Sequence, residues 1–150
     1  MRLVLAGGAA LVVLYEARDS TKDIDAFLID STSGDVLRRA ASQVAVDLGL
    51  PDDWLNDGVK GYVHGLALGD IVLEGPKIHV QALAPTQLLA MKLSAWRDDV
   101  DVADARLLLS KLSNDRDQVW HAIESHLVPG RELKAKYAFD DVWKAGHGPE

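Results

Sequence analysis

Two acidic residues, two positions apart, are the side chains in this sequence best suited to chemistry. Asp23 and Asp25 stand at the start of an apolar run, residues 24–29, which is typical of a β-strand. Residues two apart on a strand point to the same face of the sheet, so we expect the two carboxylates side by side. Clustered oxygen ligands of this kind suit magnesium, which often also bridges to nucleotide phosphates. The pair therefore predicts a site for Mg²⁺ or Mn²⁺.

The residues before this pair offer a place for phosphates. Residues 3–6 predict a strand, Gly7-Gly8 predicts a tight turn, and residues 9–14 predict a helix. Glycines before a helix leave backbone N–H groups accessible to phosphate oxygens. Two hydroxyl residues near the acidic pair are further candidate donors to a phosphate, Ser20 and Thr21. The structural alternative is that Gly-Gly is only a turn and that Asp-x-Asp is only solvated surface.

Two sequence blocks resemble a known superfamily. The segment GGAALVVLYEARDSTKDIDAF, residues 7–27, resembles the signature of the nucleotidyltransferases, which is Gly-Gly or Gly-Ser, a helix and then Asp-x-Asp. Within that superfamily it looks most like the AbiEii/MenT-type toxin nucleotidyltransferases and related uncharacterised bacterial proteins. KLSAWR at residues 92–97, followed by DVAD at residues 101–104, is similar to the later motifs of that group. The resemblance spans about residues 3–112.

The resemblance implies a fold and a set of residue roles. The implied fold is a mixed α/β domain, residues 1–150, with a small mixed sheet flanked by helices in a core of about residues 3–84. A helical C-terminal region follows at about residues 85–144. In such enzymes the Asp pair binds the metal, the glycines hold the triphosphate, and a distal lysine and aspartates complete the catalytic site. These roles are carried over to Asp23 and Asp25, to Gly7 and Gly8, and to Lys92, Asp101 and Asp104.

The sequence departs from the superfamily pattern in two places. Many members carry a third carboxylate on a later strand, whereas the corresponding strand here, residues 77–83, has only His79 and Gln81 as polar candidates and no acid. Asp101 or Asp104 is then the candidate source of the third negative charge. Relatives also usually have a helix before the first strand. Two readings stay open: a truncated start or a reduced N-terminal region.

Composition sets broad limits on the function. At 150 residues, with 48% of them hydrophobic, the chain is expected to fold as one domain. The absence of cysteine excludes disulfides, thiol catalysis and cysteine-ligated zinc. The opening apolar run is too short and interrupted for a membrane span or a signal peptide, so we expect a cytoplasmic protein without a membrane partner. A net charge of −7 disfavours RNA binding but does not exclude a local groove that binds RNA.

The remaining pattern predicts mostly helices. We expect a helix over residues 35–48, capped by Ser33 and ended by Gly49, and then a loop over residues 51–58 in which Trp54 is structural. A hairpin is predicted from residues 71–73 and 78–82. Helices are predicted to begin at Pro85 and to cover residues 101–112, 115–127 and 131–144.

Lys92 is predicted to lie on an apolar helix face. It is four residues from both Leu88 and Trp96, and a buried ammonium is costly without an anionic partner. The functional reading makes it a counter-charge for the triphosphate, and the alternative is that its charged end reaches solvent past the helix. Asp101 and Asp104 are neighbours on the next helix, where the helix dipole alone would favour carboxylates in the first turn.

Three functions compete at this stage. The first is magnesium-dependent transfer of a nucleoside monophosphate from a nucleoside triphosphate to the 3′ end of a transfer RNA, by a toxin with a cognate antitoxin protein. The second is an antitoxin that adenylates a partner protein; the Lys92–Asp104 block argues against it. The third is a degenerate, non-catalytic nucleotide-binding or interaction module.

Overall fold

The computed structural model describes residues 1–18, 21 and 23–147, and these residues form two compact units. One unit comprises Met1–Gly61 and Leu68–Leu83, and the other comprises Tyr62–Ala67 and Ala84–Glu150. The mixed α/β class predicted from the sequence is confirmed, with a small mixed sheet and a helical C-terminal region. That the whole chain is one domain stays a prediction.

A mixed sheet forms the first unit. Within the described residues it has five strands in the order β3-β2-β1-β5-β4. The strands are β1 (Arg2–Ala6), β2 (Ile24–Leu28), β3 (Leu55–Asn56), β4 (Leu68–Glu74) and β5 (His79–Leu83). Strand β1 pairs antiparallel with β2 and parallel with β5. Its central place explains why its apolar residues are buried on both faces of the sheet.

The predicted order of strand, helix and strand is confirmed, but Gly7 and Gly8, which were predicted to form a turn before the helix, are its first two residues. Helix α1 (Gly7–Tyr15) follows β1 without a linker and contacts both β1 and β2. Its buried residues, Ala9, Ala10 and Leu11, are those that continue the apolar run of the strand. The close succession of β1, Gly7-Gly8 and α1 brings the first turn of the helix to the end of the strand where the acidic pair is expected.

Helix α2 (Gly34–Leu48) forms largely as predicted, but its start differs. Ser33 makes no capping hydrogen bond to the helix; its hydroxyl instead donates to the Asp30 carboxylate at 3.3 Å. Asp30 also accepts a hydrogen bond from the backbone N–H of Arg2, which lowers the pKa of its carboxyl group. The helix ends at Gly49 in the left-handed conformation, as expected.

The segment predicted as a loop contains a strand. Leu55–Asn56 pairs parallel with the beginning of β2, and the backbone N–H of Ile24 donates to the Trp54 carbonyl at 2.7 Å. The Trp54 indole N–H donates to the Ala41 carbonyl of α2 at 2.9 Å, which confirms a structural role for this tryptophan. A strand of two residues is too short to show a periodic pattern in sequence, so it could only be found from its partner.

The predicted hairpin is confirmed as β4 and β5. The two strands pair antiparallel with register shifts between Leu68 and Leu73, and β4 is longer than predicted. The two polar residues of β5 noted in the sequence both contact β4. The Gln81 amide donates to the Gly69 carbonyl at 2.7 Å, and His79 Nδ1 lies 3.5 Å from the Glu74 carboxylate.

Four helices form the second unit within the described residues. They are α3 (Pro85–Ala95), α4 (Asp99–Ser110), α5 (Arg116–Glu124) and α6 (Glu132–His147), and α3 contacts the other three. Pro85 occupies the first turn of α3, as predicted. The buried Gln87 amide holds residues 62–67 by donating to the His64 carbonyl and accepting from the Ala67 N–H. No helix in the described ranges has both the length and the apolar character needed to cross a membrane.

The left-handed backbone conformation of Gly49, at the end of α2, can be tested by substitution. Gly49 has φ = +66°, and a Cβ there would meet no atom within 4 Å, so Gly49→Ala adds backbone strain without a collision. We expect it to lower the free energy of unfolding by about 1 kcal/mol. Gly61→Ala is the matched control, because its Cβ also enters open space but at an ordinary φ. Urea unfolding should shift its midpoint down for Gly49→Ala only; equal midpoints would contradict the assignment.

Candidate functional site

The glycine turn and Asp25 lie against each other. Ala6, the last residue of β1, pairs with Asp25 of β2, and Gly7 follows at φ = +62°. A Cβ on Gly7 would lie 2.6 Å from the Asp25 Oδ2 atom, closer than two such atoms can approach. Position 7 therefore requires glycine for two separate reasons, its backbone conformation and the adjacent carboxylate.

A cation and a hydroxyl lie beside the second glycine. A Cβ on Gly8 would lie 2.7 Å from a guanidinium nitrogen of Arg18 and 3.4 Å from the Thr21 hydroxyl oxygen. Thr21 was a predicted phosphate donor, and the structure brings it to the start of α1. Ser20, the other predicted donor, lies outside the described residues.

Arg18 was not singled out by the sequence. The adjacent residues in the sequence, Ala17 and Asp19, give no periodic pattern that predicts the direction of its side chain. The available signal was that it is the first cation after α1 within the segment that carries the acidic pair. A guanidinium close to backbone amides at a helix start adds positive potential where phosphate oxygens would bind.

The acidic pair occupies the beginning of β2. Asp23 is exposed and immediately precedes the strand, where its carbonyl accepts a hydrogen bond of 3.2 Å from the Thr21 hydroxyl. Asp25 is half-buried inside the strand. Among the described residues no group of three or more histidine or acidic side chains is arranged to hold a metal ion. Magnesium, however, is often bound by only one or two carboxylates together with substrate phosphates.

These residues fit a magnesium–nucleotide pair in their chemistry. The carboxylates supply hard oxygen ligands, and the absence of a Cβ at Gly7 lets the Asp25 carboxylate lie directly against the start of α1. The first helical turn of α1 contains no acidic side chain that would repel a phosphate. The candidate metal ligands and the candidate phosphate-binding groups are therefore neighbours on consecutive elements of one unit.

The predicted distal residues form an ion cluster in the second unit. The Lys92 ammonium lies 3.2 Å from Asp101 Oδ1 and 2.9 Å from Asp104 Oδ2. The exposed fractions of the side chains are 12% for Lys92, 1% for Asp101 and 3% for Asp104. Lys92 thus has two anionic partners in its own unit, and its predicted role as a counter-charge for a triphosphate stays a prediction. The alternative, in which its charged end reaches solvent, is wrong.

Asp101 accepts several hydrogen bonds within this ion cluster. It accepts hydrogen bonds from the Arg97 backbone N–H at 2.8 Å and from the Arg97 guanidinium at 3.1 and 3.3 Å. Its own N–H donates to Asp98, the N-cap of α4. Burial raises the pKa of the Asp101 carboxyl, but the Arg97 hydrogen bonds and the Lys92 charge outweigh it, so the pKa is lowered overall. A carboxylate held ionised in this way is a weak base.

The predicted site residues therefore fall into two groups. Gly7, Gly8, Thr21, Asp23 and Asp25 belong to the first unit, and Lys92, Asp101 and Asp104 belong to the second. Each group is joined by contacts of its own members. The contacts within the Lys92 cluster also account for the burial of its charges without a substrate.

Comparisons with known proteins do not add to this description. No protein-family model, no curated protein and no solved structure matches the chain. The resemblance to nucleotidyltransferases therefore depends on the motif residues alone.

Loss of the buried ammonium should be costly. Lys92→Met leaves two buried carboxylates without their shared cation, and we expect the free energy of unfolding to fall by about 3 kcal/mol. Lys144→Met, which removes an exposed cation of the same unit, is the control and should change stability by less than about 0.5 kcal/mol. Urea unfolding of both variants at neutral pH measures the difference; similar losses would contradict the buried pairing.

The lowered pKa of Asp101 predicts a pH dependence. Because the folded-state pKa lies below the unfolded value of about 3.9, the ionised carboxylate stabilises the fold above that pH, and this stability is lost as pH falls through the folded pKa. Asp101→Asn lacks this titration. Its deficit relative to the wild type should be largest at pH 7 and should shrink below about pH 4. A deficit that stays constant from pH 7 to pH 3 would show that the carboxyl pKa is not lowered.

Proposed function

We propose that this protein is a metal-dependent nucleotidyltransferase that moves a nucleoside monophosphate from a nucleoside triphosphate to an RNA acceptor, the 3′ end of a transfer RNA. The observation that carries the proposal is the close approach of Gly7 to Asp25 at the start of α1. Because of this contact, a carboxylate that could bind a metal ion lies beside backbone N–H groups that could bind a triphosphate. The motif resemblance supports the same reaction.

The roles of the residues follow from their positions. The turn at Gly7-Gly8 would bind the phosphates through backbone N–H groups, with Thr21 and Arg18 beside the second glycine as further donors. Asp23 and Asp25 would hold Mg²⁺ or Mn²⁺. When bound, such an ion neutralises charge on the phosphates and on the leaving group.

The proposed transfer is balanced without a further reagent. A hydroxyl oxygen of the acceptor bonds to the α-phosphorus, the bond from that phosphorus to the bridging oxygen breaks, and pyrophosphate leaves. The hydroxyl proton passes to solvent, since the bonded Asp101 is a weak base. The task of the chain is to hold the triphosphate in line with the acceptor.

The distal cluster enters this proposal by resemblance. Lys92, Asp101 and Asp104 would have the roles of the distal motif, with Lys92 as a counter-charge and Asp104 as an alternative to solvent as the acceptor of the hydroxyl proton. Their ion pairs support a role in which the three side chains act together.

The biological setting follows from the same resemblance. The protein would act in the cytoplasm as the toxin of a toxin–antitoxin pair, since both of its substrates are found there. Its partner would be an antitoxin protein. An acidic chain with a net charge of −7 suits a partner with a basic surface.

The proposal is tested by transfer of label from each nucleoside triphosphate. The protein is incubated with magnesium, one labelled triphosphate at a time, and total cellular RNA and protein. Wild type should label a small RNA, and Asp25→Asn should reduce the rate at least about 100-fold, because it removes a ligand charge without changing shape. Asp57→Asn, which neutralises an exposed aspartate, is the matched control and should be unaffected.

Two outcomes would contradict this function. Label that enters only a protein would identify an enzyme that adenylates a partner. Tight magnesium–nucleotide binding with no transfer to RNA or protein would identify a non-catalytic binding module.

The glycine requirement gives an independent test. In Gly7→Ala the new Cβ must displace the Asp25 carboxylate, so we expect Mn²⁺–nucleotide affinity to fall at least about tenfold in a chain that still folds. Gly61→Ala adds a methyl group in open space and serves as the control. Calorimetric titration measures affinity, and circular dichroism checks the fold. Unchanged affinity in folded Gly7→Ala would show that the contact has no part in binding.

A further inference from the structure

The short strand β3 has no role in the function proposed above, yet it lies beside the acidic pair. It pairs parallel with the start of β2, with Leu55 in register with Ile24 and Asn56 in register with Asp25. Neighbouring strands are about 4.8 Å apart, and residues in register direct their side chains to the same face of the sheet. Asn56 is therefore the polar residue that the pairing of β2 with β3 brings next to Asp25.

The position of Asn56 is fixed by the contacts around it. The Ile24 N–H donates to the Trp54 carbonyl at 2.7 Å, which joins the two strands immediately before the Asp25–Asn56 pair. The Trp54 indole is bonded in turn to the Ala41 carbonyl of α2. The segment that contains β3 is thus bonded both to β2 and to α2. The backbone structure therefore sets the distance between Asn56 and Asp25.

Asn56 has the chemistry of a magnesium ligand. Its side-chain oxygen accepts a hydrogen bond of 3.3 Å from the Gly58 N–H, and a carbonyl oxygen has a second lone pair available. Amide oxygens are among the hard, neutral ligands that magnesium and manganese accept. On the opposite side of Asp25, the absence of a Cβ at Gly7 lets the carboxylate lie directly against the Gly7 backbone. Asp25 is therefore flanked by the phosphate-binding turn and by Asn56.

We propose that Asn56 is the third oxygen side chain of the Asp23–Asp25 metal site. The site then carries a protein charge of −2 from its two carboxylates, with a neutral amide as the remaining ligand. A site of low charge binds the free ion weakly and binds it better together with a triphosphate, which adds oxygen ligands and negative charge. The inference depends on one part of the proposed function, that Asp23 and Asp25 hold the metal.

The test is binding of Mn²⁺ alone to the full chain, followed by the electron paramagnetic resonance signal of free manganese. Asn56→Ala should weaken binding by about tenfold. Asn56→Asp should tighten it by roughly tenfold, the order expected for an extra unit charge a few ångströms from a divalent cation. The aspartate variant retains an acceptor for the Gly58 N–H, so its turn is preserved and the result reports on the metal.

Two control variants separate local from general effects. Asn114→Ala removes the other asparagine of the chain, which is exposed and belongs to the second unit, and should leave manganese affinity unchanged. Asp57→Asn removes an exposed charge next to Asn56 and should alter affinity by no more than about twofold, because solvent screens it. Circular dichroism of every variant confirms that it is folded.

The outcomes distinguish this inference from the proposed function. If Asp25→Asn abolishes manganese binding while both Asn56 variants bind like the wild type, the role of Asn56 is overturned and the metal site is retained. If Asp25→Asn binds manganese as well as the wild type, the metal site of the proposed function is wrong, and the role of Asn56 is wrong with it. Opposite shifts for Asn56→Ala and Asn56→Asp support the inference.

Discussion

The antiparallel pairing of β1 with β2 is the constraint on which the candidate site depends. It sets Asp25 opposite Ala6, so the carboxylate meets the first residue after the strand, Gly7. A side chain at that residue would collide with the carboxylate, and a right-handed backbone there would send α1 in another direction. The same register therefore determines where the helix begins and where its N-terminal amides lie relative to the acidic pair.

The ion cluster of the second unit allows charged side chains to be buried. Lys92 and Arg97 balance Asp101 and Asp104, so two nearly fully buried carboxylates are matched by two cations. Burying such charges costs desolvation energy, which ion pairing offsets only when the remaining lone pairs are also bonded. Asp101 meets this requirement with donors from two residues. The cluster fixes the end of α3 to the start of α4, and this alone is sufficient reason for its buried charges.

Sequence reasoning was successful where local pattern and chemistry agree. The succession of strand, Gly7-Gly8 and helix was predictable because the apolar run, the turn residues and the helix are consecutive. The need of Lys92 for an anion was predictable from its helix face alone, and Asp101 and Asp104 met it. Two features were not predictable. β3 has only two residues and forms by pairing with a strand that is distant in sequence. The Arg18 side chain lies beside Gly8, and no periodic pattern in the sequence predicts that contact.

The charged groups around Asp101 in the second unit and around Asp25 in the first unit determine whether each carboxylate is suited to accept a proton or to bind a cation. A general base must accept a proton, yet Asp101 is bonded to a guanidinium and an ammonium that favour its ionised form. Asp25 is half-buried at the start of α1, whose backbone amides offer positive potential to a ligand. A carboxylate in that setting is better suited to bind a cation than to remove a proton. Catalysis at this site would therefore depend on charge neutralisation and alignment of the phosphates, with little need for a protein base.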